Sequence, residues 1–292
     1  MNLRYEVIRE ETIKGILKSK LNISKRLIKK LKDNNKIIKN GKSAFVNEIA
    51  KSGDIVEVNI DFEESSENIV ATEIPLDIIY EDSAYIILNK PAKIETHPTC
   101  ANYSNTLANG LKYYFEKKNI HRKIRPVNRL DKDTSGLIIF AKNEFIQDQL
   151  ICQMKNDVFK KEYIAIVEGK VENDAGIIDA PIKRKEQSII ERCVSPDGEI
   201  AITEYEVIRR LEDKTIIKCM LKTGRTHQIR VHMNYIKHPI IGDFLYGQKS
   251  DLIDRQALHS YKLQFLHPIN KQIVNYEINL PEDMKRLFEF SH

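Results

Sequence analysis

Asn128-Arg129-Leu130-Asp131-Lys132-Asp133-Thr134-Ser135-Gly136 runs straight into Leu137-Ile138-Ile139-Phe140-Ala141-Lys142. The first nine residues are dense in turn and cap formers, and the next six read as a buried strand. Polar groups packed just before a hydrophobic strand form a loop held firmly at its edge, where catalytic groups are often placed. Asp131 taken alone has a plainer reading, because an Asp in such a loop usually does no more than hydrogen-bond backbone.

The surroundings of this loop set the fold class. Short β-branched runs, Tyr85–Leu88, Tyr163–Val167 and Thr215–Lys218, are separated by Gly, Pro and Asp turns. Helical periodicity appears near residues 105–118, 143–155 and 226–236. Strands and helices do not alternate regularly, so the pattern predicts an α+β fold. Its central sheet should be mixed and mostly antiparallel, flanked by helices and loops.

Further out, the charge distribution changes abruptly near residue 60. Thr12 to Lys42 holds eleven Lys or Arg and one acid, whereas Asp61 to Asp82 holds eight acids and no basic residue. The net charge of +5 therefore hides a cationic head. This places a first domain at 1–61, an acidic linker at 62–80 and a second domain at 81–292. In the head, Ile13, Ile16 and Leu17, then Ile23, Leu27, Ile28 and Leu31, recur at helical spacing, and Ser24 stands as an N-cap. Asn40-Gly41 predicts a hairpin between Ile37-Ile38 and Ala44–Val46, and Ser52-Gly53-Asp54 turns the chain into a strand at Ile55–Ile60. Two small helices and a few strands make a compact α+β module. Lysines crowded on helix faces with few acids attract phosphates through counterion release.

Cysteines stand at 100, 152, 193 and 219 with no C-x-x-C pair, which predicts four reduced thiols. The first dozen residues lack the apolar core of a signal peptide, and no apolar run is long enough to span a bilayer. The expected location is the cytoplasm.

Two resemblances add to this reading. Ser24-Lys25-Arg26, Asn40-Gly41 and Gly53-Asp54 make the head similar to the S4 RNA-binding domain, which implies RNA contact at Ser24, Lys25, Arg26, Lys29 and Lys30. The loop and strand at 128–142 resemble the signature of the RluA family of RNA pseudouridine synthases. Further landmarks follow in the family's order: Asn89-Lys90-Pro91 with His97-Pro98, Lys161-x-Tyr163, Leu221 to His232, His238 to Asp243 and Arg255 to His259. Two positions depart from the pattern, Asn128 for the usual His and Lys93 for a common Gly.

That resemblance implies a catalytic set of Asp131, Tyr163 and Arg230, with Arg129, Ile229, Arg225 and His227 binding substrate. Asp131 would be the essential carboxylate, Arg230 the fork that can hold both its oxygens, and Tyr163 a stacking face for the base. Arg129 would help displace the base from its stack, and Ile229 would wall the pocket. Isomerising uridine adds and removes no atoms, so no cofactor or metal is expected. His227 and His232 lie five apart, where a helical zinc pair would stand four apart. The partner would be structured RNA: ribosomal RNA of the large subunit first, transfer RNA second. No membrane is implied, and a monomer suits two gripping domains. The rivals are a non-catalytic ribosome-assembly factor, and a glycosylase that would release free uracil.

Overall fold

The computed structural model describes residues 1–289 (for Glu289, the backbone), so the last three residues of the second domain lie outside it. The cationic head folds as α1 (Ile13–Ser19) and α2 (Lys25–Asp33) on a four-stranded sheet. Each helix is opened by a hydroxyl that accepts a backbone N–H three residues on: Thr12 from Gly15, Ser24 from Leu27. The Asn40-Gly41 hairpin forms, but its second strand covers only Lys42–Ser43. Beyond Ala44 the chain leaves the sheet, because the Val46 and Glu48 carbonyls accept the N–H groups of Lys14 and Ile13 at the start of α1. Those first-turn donors have no partner inside their own helix.

The strands from Ile78 onward build a ten-stranded sheet among the described residues, in which eight strands form one path. Their order is Ala175–Asp179, Ile202–Arg210, Lys214–Leu221, Lys160–Glu168, Leu258–Leu266, Ser135–Ala141, Tyr85–Lys90 and Ile78–Glu81. Every pairing is antiparallel except one. Ser135–Ala141 meets Leu258–Leu266 in parallel, over only Ser135↔His259 and Gly136↔Ser260. Beyond those two rungs the strands part. Arg125–Pro126 then pairs with one and Ile273–Glu277 with the other. Two half-sheets are thus hinged at the end of the Asn128–Gly136 loop.

Both faces of the central strands are covered, which is why they read as unbroken apolar runs. Alternate residues serve alternate faces. Ile86, Leu88, Ile138 and Phe140 pack with α3 (Leu107–Lys117), through Leu107, Leu111 and Phe115. Tyr85, Ile87, Leu137 and Ile139 pack with α4 (Glu144–Lys155), through Phe145, Ile146 and Leu150. That second layer is continuous with the core of the head, including Ile13, Leu17, Leu27 and Leu31. The remaining helices are α5 (Gln228–Tyr235) and α6 (Glu282–Glu289). No helix of the described residues is long and apolar enough to cross a membrane.

The acidic stretch lies in contact with both parts. Glu64 binds Lys30 of α2 and Arg125 of the second domain, and Asp61 binds Arg122. Across the same boundary Arg26 binds Glu144. Lys30 and Arg125 hold the Glu64 carboxyl below its usual range, and the Met1 ammonium with Arg122 does the same for Asp61, although burial works the other way.

Candidate active site

The loop after Asn128 is fixed from several sides. Asn128 bridges the hairpin, its Oδ1 accepting the Ile139 N–H at 3.0 Å and its Nδ2 donating to the Leu137 carbonyl at 3.4 Å. The donor and acceptor that Asn retains in place of His are both used. Lys90 is fully buried, and its ammonium donates to the carbonyls of Pro91, Ile94 and Lys132 at 2.8–3.0 Å. Three carbonyls occupy all three of its N–H bonds. Burial pulls its pKa down to about 7, against the pull of Asp131 and Asp133. Arg255 donates to the Asp133 carbonyl, Gln256 to the Thr134 hydroxyl, and Ser135 shares a hydrogen bond with His259. Gly136 has φ +116°, and a Cβ there would lie 2.2 Å from the Ser260 carbonyl oxygen. Only glycine lets the two half-sheets touch.

Asp131 thereby sits at the side of an open cleft of about 1000 Å³. Arg230 reaches it from α5 with one Nη1–Oδ2 contact of 3.4 Å. The expected two-oxygen clasp is made elsewhere. The Arg230 fork closes on Asp243, Nε–Oδ2 at 2.7 Å and Nη2–Oδ1 at 2.8 Å. Asp243 is fully buried and Asp131 is not, so the stronger clasp forms where less water competes. Asp131 keeps a nearby cation while its oxygens stay largely free for another partner.

His227 lies 3.9 Å from the same carboxylate oxygen and shares a 2.8 Å hydrogen bond with the Tyr246 hydroxyl. It stands in the left-handed region, φ 58°, just ahead of α5. Burial holds its imidazole below the usual pKa, against Asp131, with Arg230 and Arg192 acting with the burial. His232 is fully buried, hydrogen-bonded to Thr203 and the Ala180 carbonyl, and is a packing residue.

The other expected residues are distributed as follows. Tyr163 and Ile229 are buried and line the cleft beside Asp131. Burial pushes the Tyr163 phenol up, so it stays protonated at neutral pH. Arg129 is exposed on the lining of the cleft. Arg225 lines it too, but its guanidinium is bonded to Glu199 and the Ile200 carbonyl. The five head residues form a separate surface. Lys25 and Lys29 are exposed there, Ser24 is the cap of α2, and Arg26 and Lys30 are bonded to Glu144 and Glu64. Lys90, Asp243 and Tyr246 were not singled out from the sequence. All three stand in landmarks of the resemblance (Asn89-Lys90-Pro91, His238 to Asp243, Tyr246-Gly247), but nothing local marks a buried partner before the chain is folded.

The chain is similar to known proteins over most of its length. The family model for RNA pseudouridylate synthase matches residues 84–235. The chain is 40% identical over 270 residues to an uncharacterized RNA pseudouridine synthase, YjbO, of Bacillus subtilis, covering 92% of this chain and 95% of that protein. It is 37% identical over 270 residues to the ribosomal large subunit pseudouridine synthase D of Zymomonas mobilis, covering 86% and 84%. Among solved structures, human RNA pseudouridylate synthase domain containing 1 superposes with a TM-score of 0.59 at 23% identity, over 72% of this chain and 85% of that one. The last likeness concerns the fold alone.

Proposed function

The chain belongs to the RNA pseudouridylate synthase family, and from that premise we propose that Asp131 is the catalytic carboxylate of an enzyme acting on large-subunit ribosomal RNA. The enzyme is an isomerase: the bond from ribose C1′ to uracil N1 breaks, a bond from C1′ to C5 forms, and the proton on C5 is replaced by one on N1. The observation that carries the assignment is the setting of Asp131. A loop tied down by Lys90, Asn128 and Arg255 presents it to a cleft, with Arg230 at 3.4 Å and Tyr163 on the same lining. Whether the carboxylate attacks the sugar, attacks the ring or removes a proton, it must be ionised and accessible. Arg230 sets a positive charge beside it without occupying both oxygens.

Tyr163 offers an aromatic face that binds a base without reading its sequence, worth about 1–3 kcal/mol. Ile229 closes the apolar side of the pocket, and exposed Arg129 is positioned to enter the space a flipped uridine leaves. His227, beside Asp131, and Arg225 contribute from the segment that leads into α5. The head, residues 1–61, acts as an S4-like RNA-binding domain whose exposed Lys25 and Lys29 on α2 support that role. Residues 62–80 connect it to the catalytic domain. Large-subunit ribosomal RNA is preferred over transfer RNA because a relative covering most of the chain is named for that substrate. The enzyme works as a cytoplasmic monomer that grips RNA through both domains.

Mapping pseudouridines in ribosomal and transfer RNA from cells lacking the gene tests the target. Loss of one or more large-subunit sites, restored by the wild-type gene and not by Asp131→Ala, is the expected result. Sites lost only from transfer RNA, or restored by the variant, would overturn the assignment.

A further inference from the structure

We infer that Lys161 is an RNA-phosphate clamp of the cleft, placed to hold the backbone beside the nucleotide that lies against Tyr163. This rests on the function proposed above and adds a residue to it. Lys161 stands two positions before Tyr163 on the strand Lys160–Glu168, so the two side chains leave the same face of the sheet. Both line the cleft. The ammonium rests against the turn that follows the neighbouring strand Lys214–Leu221, because a Cβ built on Gly224 would lie 3.5 Å from Lys161 Nζ.

Lys161 combines partial burial with the lack of any carboxylate partner among the described residues. Cations close to it are neutralised: Lys160 by Asp157, Lys222 by Asp157 and Glu204, Arg225 by Glu199 and Arg230 by Asp243. Among the described residues no carboxylate acts on Lys161. Burial alone bears on its charge, and it draws the pKa below the ordinary lysine value. A half-buried cation with no counter-ion is less well solvated than a free one, and the arrangement suits a place where an anion arrives to complete it.

The rest of the lining says which anion. Eight Lys or Arg side chains line the cleft against two acids, Glu95 and Asp131. A carboxylate ligand would suit a single bidentate arginine. A row of separate cations along an open cleft suits a chain of phosphates. Lys161, a compact point charge on a flexible stem, fits one non-bridging phosphate oxygen.

The test compares wild type, Lys161→Met and Lys161→Arg on an in vitro transcript of large-subunit ribosomal RNA. Three quantities are measured: affinity as a function of salt, KM and kcat for pseudouridine formation, and thermal melting without RNA. For Lys161→Met, affinity should fall roughly tenfold through loss of one charge-assisted hydrogen bond. The slope of log K against log salt should become shallower by about one. KM should rise with kcat little changed, as for a contact made equally in ground and transition states. Melting of the free protein should not fall, because the substitution removes an uncompensated cation. Lys161→Arg should restore the slope. An unchanged salt slope in Lys161→Met, or a lowered melting temperature with affinity intact, would sink the proposal and make Lys161 a structural lysine. The salt slope is read from binding alone. A wild-type enzyme that binds the transcript but forms no pseudouridine would therefore count against the functional assignment and not against the clamp.

Discussion

At the scale of single residues, Arg230 faces two carboxylates and treats them differently. Asp243 takes both fork bonds and also accepts the N–H groups of Leu245 and Tyr246, while Asp131 takes one long contact. The two aspartates should therefore fail in different ways. Asp131→Ala removes a weak, partly solvated contact, and unfolding stability should move by no more than about 1 kcal/mol. Turnover should vanish while RNA affinity stays nearly intact. Asp243→Ala strands a buried guanidinium, which costs about 3–5 kcal/mol. It should lower the denaturation midpoint and the activity together. Chemical denaturation of both variants, with a pseudouridine assay, checks the pair. An Asp131 variant that unfolds as easily as the Asp243 variant would contradict this division of labour. From the sequence the Asp131–Arg230 pairing could be expected, but the rival Asp243 could not. Which carboxylate wins depends on how deeply each is buried, and burial belongs to the folded chain.

At the scale of elements, the parallel rungs Ser135↔His259 and Gly136↔Ser260 join the two half-sheets and end the catalytic loop. Gly136→Ala would drive a methyl into the Ser260 backbone at φ +116°. Left-handed strain and overpacking together should cost about 2–5 kcal/mol, with activity lost through displacement of Asp131. The other rung carries a pH dependence. His259 is buried, and that burial, helped by Arg255, holds its pKa at about 4 against an ordinary 6.5. Between those values the unfolded chain binds a proton that the native chain refuses, so stability falls as pH falls through the window. This group alone should remove about 3 kcal/mol between pH 6.5 and 4. His97, His227 and His232, also held low by burial, act in the same direction. His259→Asn, with an amide in place of the titrating ring opposite Ser135, should flatten this limb of the stability–pH curve, and an unchanged limb would refute the account. The strands and helices around this junction were legible as apolar runs and 3.6-residue periodicity. The junction itself was not, because it joins positions more than 120 residues apart and spans only two rungs.

At the scale of the whole molecule, the charge step near residue 60 was visible in the sequence, and its use was only half visible. Part of the cationic head is spent on the protein's own acids, Arg26 on Glu144 and Lys30 on Glu64, with the Lys30 ammonium also 4.0 Å from the centre of the Phe62 ring. Those cations dock the head against α4 and the acidic stretch, over an apolar layer shared by both parts. Spacing along the chain cannot separate a docking cation from a free one, because both lie on α2 within six residues. Their roles should nevertheless separate by experiment. Replacing exposed Lys25 and Lys29 by Gln removes two charges that have no partner among the described acids. The slope of log K against log salt for RNA should then become shallower by about 1.5, with melting unchanged. Replacing Arg26 and Lys30 by Gln should change the slope less, since both charges are already partly neutralised. It should instead raise hydrogen exchange at residues 61–64 and around Glu144, where the contacts have been cut. Two double variants with equal salt slopes would mean that the head's cations are interchangeable, and that its docking does not select which of them meets RNA.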